Sequence, residues 1–220
     1  MKRRKEPPPI VDKMKQETAT STRAAVSDEA IRLAAKLRAA FSQSHHVLQF
    51  TGVGAQEGVS HVTSQVACAL AQIDQSPVLL LDTNLRSPAV HQAFGTALQP
   101  GLSDLLDNRA ALADVIHATA VPGLSVLPAG GGQSDSVQLF SSAAWSELVQ
   151  TMRERFRFVL MDSAPILQFA DSTLLAPRAD GVVIVVAAGQ RHRAELLEAR
   201  QLLERLKATV VGVVLARKGF

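Results

Sequence analysis

Two aspartates and one glycine-rich turn are the residues whose types and spacing suggest chemistry. Asp82 follows the apolar run Val78-Leu79-Leu80-Leu81, and Asp162 follows Phe158-Val159-Leu160-Met161. A carboxylate at the edge of an apolar core is costly unless something holds it there. The turn runs Thr51-Gly52-Val53-Gly54-Ala55-Gln56-Glu57-Gly58-Val59-Ser60, between an apolar strand pattern and a helical one. Glycines at such a turn let backbone N–H groups approach a phosphate, and the helix N-terminus adds a favourable field. Together, the turn and the two strand-tip carboxylates suggest a phosphate site with Mg²⁺ held by Ser60, Asp82 and Asp162. The plainer alternative is that both aspartates only cap the turns that follow them.

The turn departs from a working P-loop at one position. Such loops place Lys after the last glycine, reaching the β- and γ-phosphates, then Ser or Thr for Mg²⁺. Gly52, Gly54, Gly58 and Ser60 stand in place, but Val59 occupies the lysine position. Charged contacts of this kind are worth roughly 1.5–3 kcal/mol each. Losing them weakens nucleotide binding about tenfold to a few hundredfold. Turnover suffers more, because phosphoryl transfer relies on stabilising charge that develops at the same oxygens.

The elements that must position these residues alternate along the chain. Buried strands are expected at Val47–Phe50, Val78–Leu81, Leu124–Leu127, Phe158–Met161, Val182–Val186 and Val210–Leu215. Helices are expected over Val59–Ile73, Ser142–Phe156 and Arg193–Leu206, with another starting near Ser27-Asp28-Glu29, which supplies an N-cap and first-turn acids. Near-continuous apolar strands alternating with helices imply an α/β fold, a mostly parallel sheet covered by helices on both faces. In such sheets ligands bind beyond the carboxyl ends of the strands, where the singled-out residues lie.

Composition narrows the classes. The chain has 220 residues, a net charge of +3, one cysteine and no tyrosine. That length suits one domain with a short appendage, drawn here as a basic, Pro-rich tail over residues 1–27 and a domain over 28–220. So small a charge, without a basic patch interleaved with aromatics, argues against nucleic acid. No apolar stretch is long enough to span a bilayer, and no signal peptide is evident at the N-terminus, so a cytoplasmic chain is expected. The basic start, Lys2-Arg3-Arg4-Lys5, reads as a solvated tail ahead of a weak membrane contact. Cys68 is expected to be a buried, inert thiol and Trp145 a core residue beside Leu148 and Met152. The six histidines lack metal-ligand spacing.

The linked motifs resemble those of the bacterial tyrosine kinase (BY-kinase) family of capsule and exopolysaccharide biosynthesis, a group of P-loop ATPases related to ParA and MinD. The family's Asp-x-Asp-x-Arg-x-Pro is similar to Asp82-Thr83-Asn84-Leu85-Arg86-Ser87-Pro88. Its Gly-Leu-Ser-Asp-x-Leu segment matches Gly101-Leu102-Ser103-Asp104-Leu105-Leu106. Its Asp-x-Pro-Pro motif and trailing Asp resemble Asp162-Ser163-Ala164-Pro165 and Asp171. Ala179-Asp180-Gly181-Val182 and Val211–Leu215 match its closing strands. The resemblance runs from about Asp28 to Leu215 and implies a P-loop NTPase fold of the ParA/MinD type, with ATP or ADP and Mg²⁺ as ligands.

It also exposes departures. Beside Val59, Asn84 replaces the second carboxylate of the Asp-x-Asp pair, Ala164 replaces a proline, and Ala216 stands where an Asn near the adenine is usual. Without tyrosine, this chain cannot phosphorylate itself on tyrosine. The signature lysine of partition ATPases is Val53 here, so that class fits poorly. On the N-terminal helix, Glu29 and Arg32 match two of three positions of the family's ring-assembly motif, with Ala35 at the third, which leaves a homo-oligomer open. The reading that follows is a catalytically degraded, regulatory or scaffolding member. Asp82 and Asp162 would be vestigial, nucleotide binding weakened or lost, and the chain peripheral at the inner membrane on a polysaccharide co-polymerase or chain-length regulator. The rival is an active kinase or ATPase that phosphorylates a partner, with Arg86 or a neighbouring subunit's basic residue replacing the lysine.

Overall fold

A strand buried on both faces must satisfy its backbone with neighbours of the same kind, and the apolar runs do so in one sheet. The computed structural model describes residues 26–42, 45–132, 135–189 and 193–216. Its strands are β1 (His46–Gly52), β2 (Val78–Asp82), β3 (His117–Ala118), β4 (Leu124–Leu127), β5 (Phe158–Asp162), β6 (Gly181–Ala187) and β7 (Val210–Ala216). They lie in the order β3-β4-β2-β5-β1-β6-β7, parallel except for the β3–β4 pair. The six strands expected from the sequence are all present. The two-residue β3 is too short to leave a periodic signal.

Four longer helices cover the sheet: α1 (Asp28–Ala40), α2 (Val59–Asp74), α3 (Ala143–Arg155) and α4 (Arg193–Arg205). Strand alternation sorts the core. Leu48, Phe50, Leu80, Phe158 and Leu160 face α1 and α2. Val47, Leu79, Leu81, Val159 and Met161 pack with Trp145, Leu148 and Met152 of α3. Val182, Ile184 and Val186 pack with Ala199 and Leu203 of α4. Trp145 is fully buried, as its helical spacing implies. Cys68 on α2 is half-buried rather than buried, and burial still pushes its thiol up to about 11, away from nucleophile chemistry.

Ser27 caps α1, its hydroxyl accepting from the Ala30 N–H at 3.2 Å. Of the tail drawn over 1–27, residues 1–25 lie outside the described residues. Glu29 and Arg32 are both exposed on α1 and form no ion pair with each other. Among the described residues, no helix is long and apolar enough to cross a membrane.

One backbone crossing fixes the loops beyond β2 and β4. The Leu102 and Ser103 N–H groups donate to Pro128 and Ala129 carbonyls at 2.8 and 2.9 Å. A Cβ on Gly101 would stand 2.2 Å from the Gly130 nitrogen and 2.5 Å from the Pro128 oxygen. Gly101→Ala must push two backbones apart. It is expected to cost about 1–3 kcal/mol of stability, read by guanidinium unfolding. An unchanged midpoint would show that the crossing tolerates a methyl group.

Candidate functional site

The glycine-rich turn follows β1 and opens α2, so its backbone stands at the carboxyl edge of the sheet. Gly58 is the α2 N-cap in the left-handed region, at φ 77°, and Gln56 shares that region at φ 60°. A glutamine held there is strained by about 1 kcal/mol or more, so the surrounding loop dictates this shape. Gly52 has no room for a side chain: an added Cβ would meet the Gly54 oxygen at 3.0 Å and a Val59 methyl at 3.2 Å. Val59 packs against the core cluster that contains Leu48 and Phe50. A valine there brings no charge toward a ligand.

Glu57, within the same turn, is buried beneath it. Its carboxylate accepts from the Ala187 N–H at the end of β6. Its Oε1 lies 3.4 Å from where a Cβ on Gly54 would stand. The turn is thus anchored to β6. It also meets β7, because Ala216 Cβ lies 3.9 Å from the position of a Gly58 Cβ. Sequence spacing alone offers no signal for either contact.

Asp82 and Asp162 are register partners on adjacent strands, both fully buried. Their surroundings differ. Asp82 accepts from the Asn84 N–H at 3.1 Å, the Ala89 N–H at 3.0 Å and the Val90 N–H at 3.1 Å. For this residue the capping alternative holds. Burial still outweighs those bonds and pushes its carboxyl up to about 6. No backbone N–H donates to either carboxyl oxygen of Asp162. Burial, and then the neighbouring Asp82 charge, hold Asp162 well above the usual carboxylate range, with the Ser60 hydroxyl opposing them. A fully buried carboxyl without a backbone donor, facing the first turn of α2, does not fit a turn cap.

The segment after Asp162 is fastened to β1. Thr51 and Ser172 hydroxyls both donate to the Ala164 carbonyl, the first at 2.8 Å. The Ile166 N–H donates to the Gly52 carbonyl at 2.9 Å. Gln49, buried in the middle of β1, donates to the Ser163 hydroxyl and the Ser172 carbonyl, both at 3.0 Å. These bonds hold Asp162 and the turn at a fixed separation.

Comparison with known proteins places this architecture. No protein-family profile matches the chain. It is 32% identical over 157 residues to tyrosine-protein kinase ptk of Acinetobacter johnsonii, covering 71% of this chain and 21% of that protein. It therefore spans about a fifth of the length of that relative. It is 30% identical over 162 residues to tyrosine-protein kinase YwqD of Bacillus subtilis, covering 74% of this chain and 68% of that protein. The VpsO kinase domain superposes with a TM-score of 0.81 at 30% identity, over 96% of this chain and all of that domain. The chain belongs to the bacterial tyrosine kinase (BY-kinase) family. The septum site-determining protein MinD of Pyrococcus horikoshii, solved with Mg-ADP, shares the fold with a TM-score of 0.67 at 19% identity, over 80% of this chain and 71% of that one.

In this chain the residues that would hold nucleotide and Mg²⁺ divide into two groups. The glycine turn, Ser60 and the buried Asp162 keep places that suit phosphate and a divalent cation. The side chains that would manage the outer phosphate do not. Val59 is uncharged. The Asn84 side-chain oxygen accepts from the Ser87 N–H at 3.2 Å, closing its own loop. Ala216 has no polar group to offer a base.

Arg86, the sequence's candidate for a substitute cation, is committed elsewhere. Its guanidinium donates to both oxygens of Asp171, at 2.8 and 3.2 Å. It also reaches the Ser136 hydroxyl at 3.3 Å and lies 4.6 Å from the Phe169 ring centroid. Asp171, which the motif match named only as a trailing acid, thus fixes Arg86 rather than Mg²⁺.

Proposed function

We propose that this chain is a regulatory or scaffolding BY-kinase in capsule or exopolysaccharide assembly, its fold used for interaction and its nucleotide site no longer catalytic. Its place would be at the cytoplasmic face of the inner membrane, against a polysaccharide co-polymerase or chain-length regulator. Ring-type self-association through the exposed Glu29 and Arg32 face of α1 belongs to the same proposal. One observation carries the reading: Val59 removes the phosphate-binding cation, and the nearest sequence candidate to replace it, Arg86, is held by Asp171. Phosphoryl transfer without a cation at the outer phosphate forfeits its main electrostatic stabilisation.

The test is a titration of the purified chain with labelled ATP and Mg²⁺, alongside Val59→Lys. The lysine variant is expected to bind ATP roughly tenfold to a few hundredfold more tightly, the range one charged hydrogen bond supplies. The unmodified chain is expected to show no turnover. ATP hydrolysis or partner phosphorylation by the unmodified chain would overturn this in favour of an active kinase with its cation supplied by another subunit.

A further inference from the structure

Of the two edges of the sheet, only one is blunted. β3 is two residues long and leaves little free edge beyond β4. The other side is closed by β7, seven residues from Val210 to Ala216 with neither a charge nor a proline among them. Among the described residues no strand pairs with its outer edge. The Ala216 carbonyl accepts from the Ala188 N–H, so strand alternation turns the N–H and C=O groups of Val213 and Leu215 outward. The side chains of the same two residues are exposed, by 47% and 71%. An unguarded apolar edge of this kind is a template for pairing with another chain.

Helix α4 indicates which chain. Arg193, Leu197, Arg200 and Glu204 recur at intervals of four, three and four residues, one stripe along the helix. Ala199 and Leu203, buried against β6, lie on a neighbouring stripe. In a right-handed β6–α4–β7 crossover, the first stripe stands toward the outer side of β7. Leu197 is half-exposed, and the Arg200–Glu204 ion pair is open to solvent at both ends. The stripe is complementary to itself read backwards. In an antiparallel pair centred between Leu197 and Arg200, each Arg193 faces the partner's Glu204 and each Leu197 the partner's Arg200. The levels also agree. Measured from the end of α4 at Arg205 and the start of β7 at Val210, that centre and Val213 both stand roughly 10 Å along their elements. A single two-fold axis can therefore pass beside both.

We propose that β7 pairs antiparallel with β7 of a second copy of this chain, α4 lying alongside the partner's α4. The pairing joins two sheets into one and satisfies both outer edges at once. It uses neither Glu29 nor Arg32, so it is independent of ring assembly through α1. Two strands and two helix flanks of this length bury on the order of 1,000–1,200 Å², the low end of specific interfaces, which suits a Kd of about 1–100 μM.

Sedimentation of the full chain over a concentration series tests it, and a monomer–dimer equilibrium is expected. Leu215→Lys is expected to raise the Kd about tenfold or more, because it sets like charges beside the paired edge. The side chain is exposed, so the unfolding midpoint measured below the Kd should not move. Arg193→Glu is expected to raise the Kd about tenfold, since the axis counts each lost pair twice. Adding Glu204→Arg on the same chain should restore association, a rescue that a merely structural role would not give. The thiol introduced by Val213→Cys, in a Cys68→Ser background, should be joined to its copy by a short bismaleimide. A monomer whose introduced thiol labels rapidly would show an open edge and overturn the proposal. A monomer with that thiol protected would give the edge to another segment of the same chain, which overturns it equally. Association abolished by Arg32→Glu but not by Leu215→Lys would assign self-contact to α1 instead of β7.

Discussion

Asp162→Asn is expected to flatten much of the fall in folding stability as pH rises above the ordinary carboxylate range. The wild-type chain should be most stable at the acid end of such a series. Asp162 is fully buried with no backbone N–H donating to either oxygen, and its carboxyl is held well above the ordinary range. The folded state therefore keeps a proton that the unfolded chain releases at a lower pH. Stability linked to such a group is fully present below the unfolded value and is lost as pH rises through the folded one. Asparagine has nearly the same shape and no proton to hold. Its own unsatisfied amide costs stability equally at every pH, so the slope is the clean readout. The variant's curve is expected to fall less steeply than that of the wild type as pH rises. Asp82 leaves a residual slope in the variant. Its rise from 3.8 to about 6 corresponds to about 3 kcal/mol, lost as pH climbs through about 6. Urea unfolding of both proteins at a series of pH values supplies the curves. Parallel curves would mean that Asp162 is not the buried acid described above.

The two aspartates also show where sequence spacing stops being informative. Both stand at the tips of apolar strands, and the sequence treats them alike. The strand pattern reads clearly because Val, Leu and Ile runs have few other uses, which is why six strands and the long helices are legible to within a residue or two. The site frame is legible for the same reason, since strand ends define it. What separates Asp82 from Asp162 is the supply of N–H donors, and that depends on how residues 84–90 curl back. Glu57 and Arg86 make the same point. A loop Glu reads as solvated and an Arg beside a phosphate loop reads as a ligand, yet one is buried against Ala187 and the other is paired with Asp171. Short helices such as Ala170–Leu175, which carries Asp171 and Ser172, are too brief to leave a periodic signal.

Arg86→Ala is expected to destabilise the chain by about 3 kcal/mol, and far more than Asp171→Asn does. The pair is asymmetric: the Arg86 side chain is 44% exposed and that of Asp171 only 2%. Removing the guanidinium strands a carboxylate in the interior, the case that costs about 3–5 kcal/mol, with the half-exposed edge placing it at the lower end. Removing the Asp171 charge instead leaves an arginine that water can reach. The double variant Arg86→Ala with Asp171→Asn should recover much of the loss, giving a coupling energy well above the ordinary surface pair. Arg86→Lys should recover little, because a single ammonium cannot donate to both Asp171 oxygens in plane and lie against Phe169. Guanidinium unfolding of the four proteins measures the cycle, and additive effects would show that the pair is incidental. The same variants bear on activity. If Arg86 replaced the missing lysine, Arg86→Ala would abolish nucleotide binding in protein that is still folded. Paired with Asp171, it is expected to leave nucleotide affinity unchanged under conditions where the variant remains native. The ion pair then holds the loop after β2 against the segment after β5.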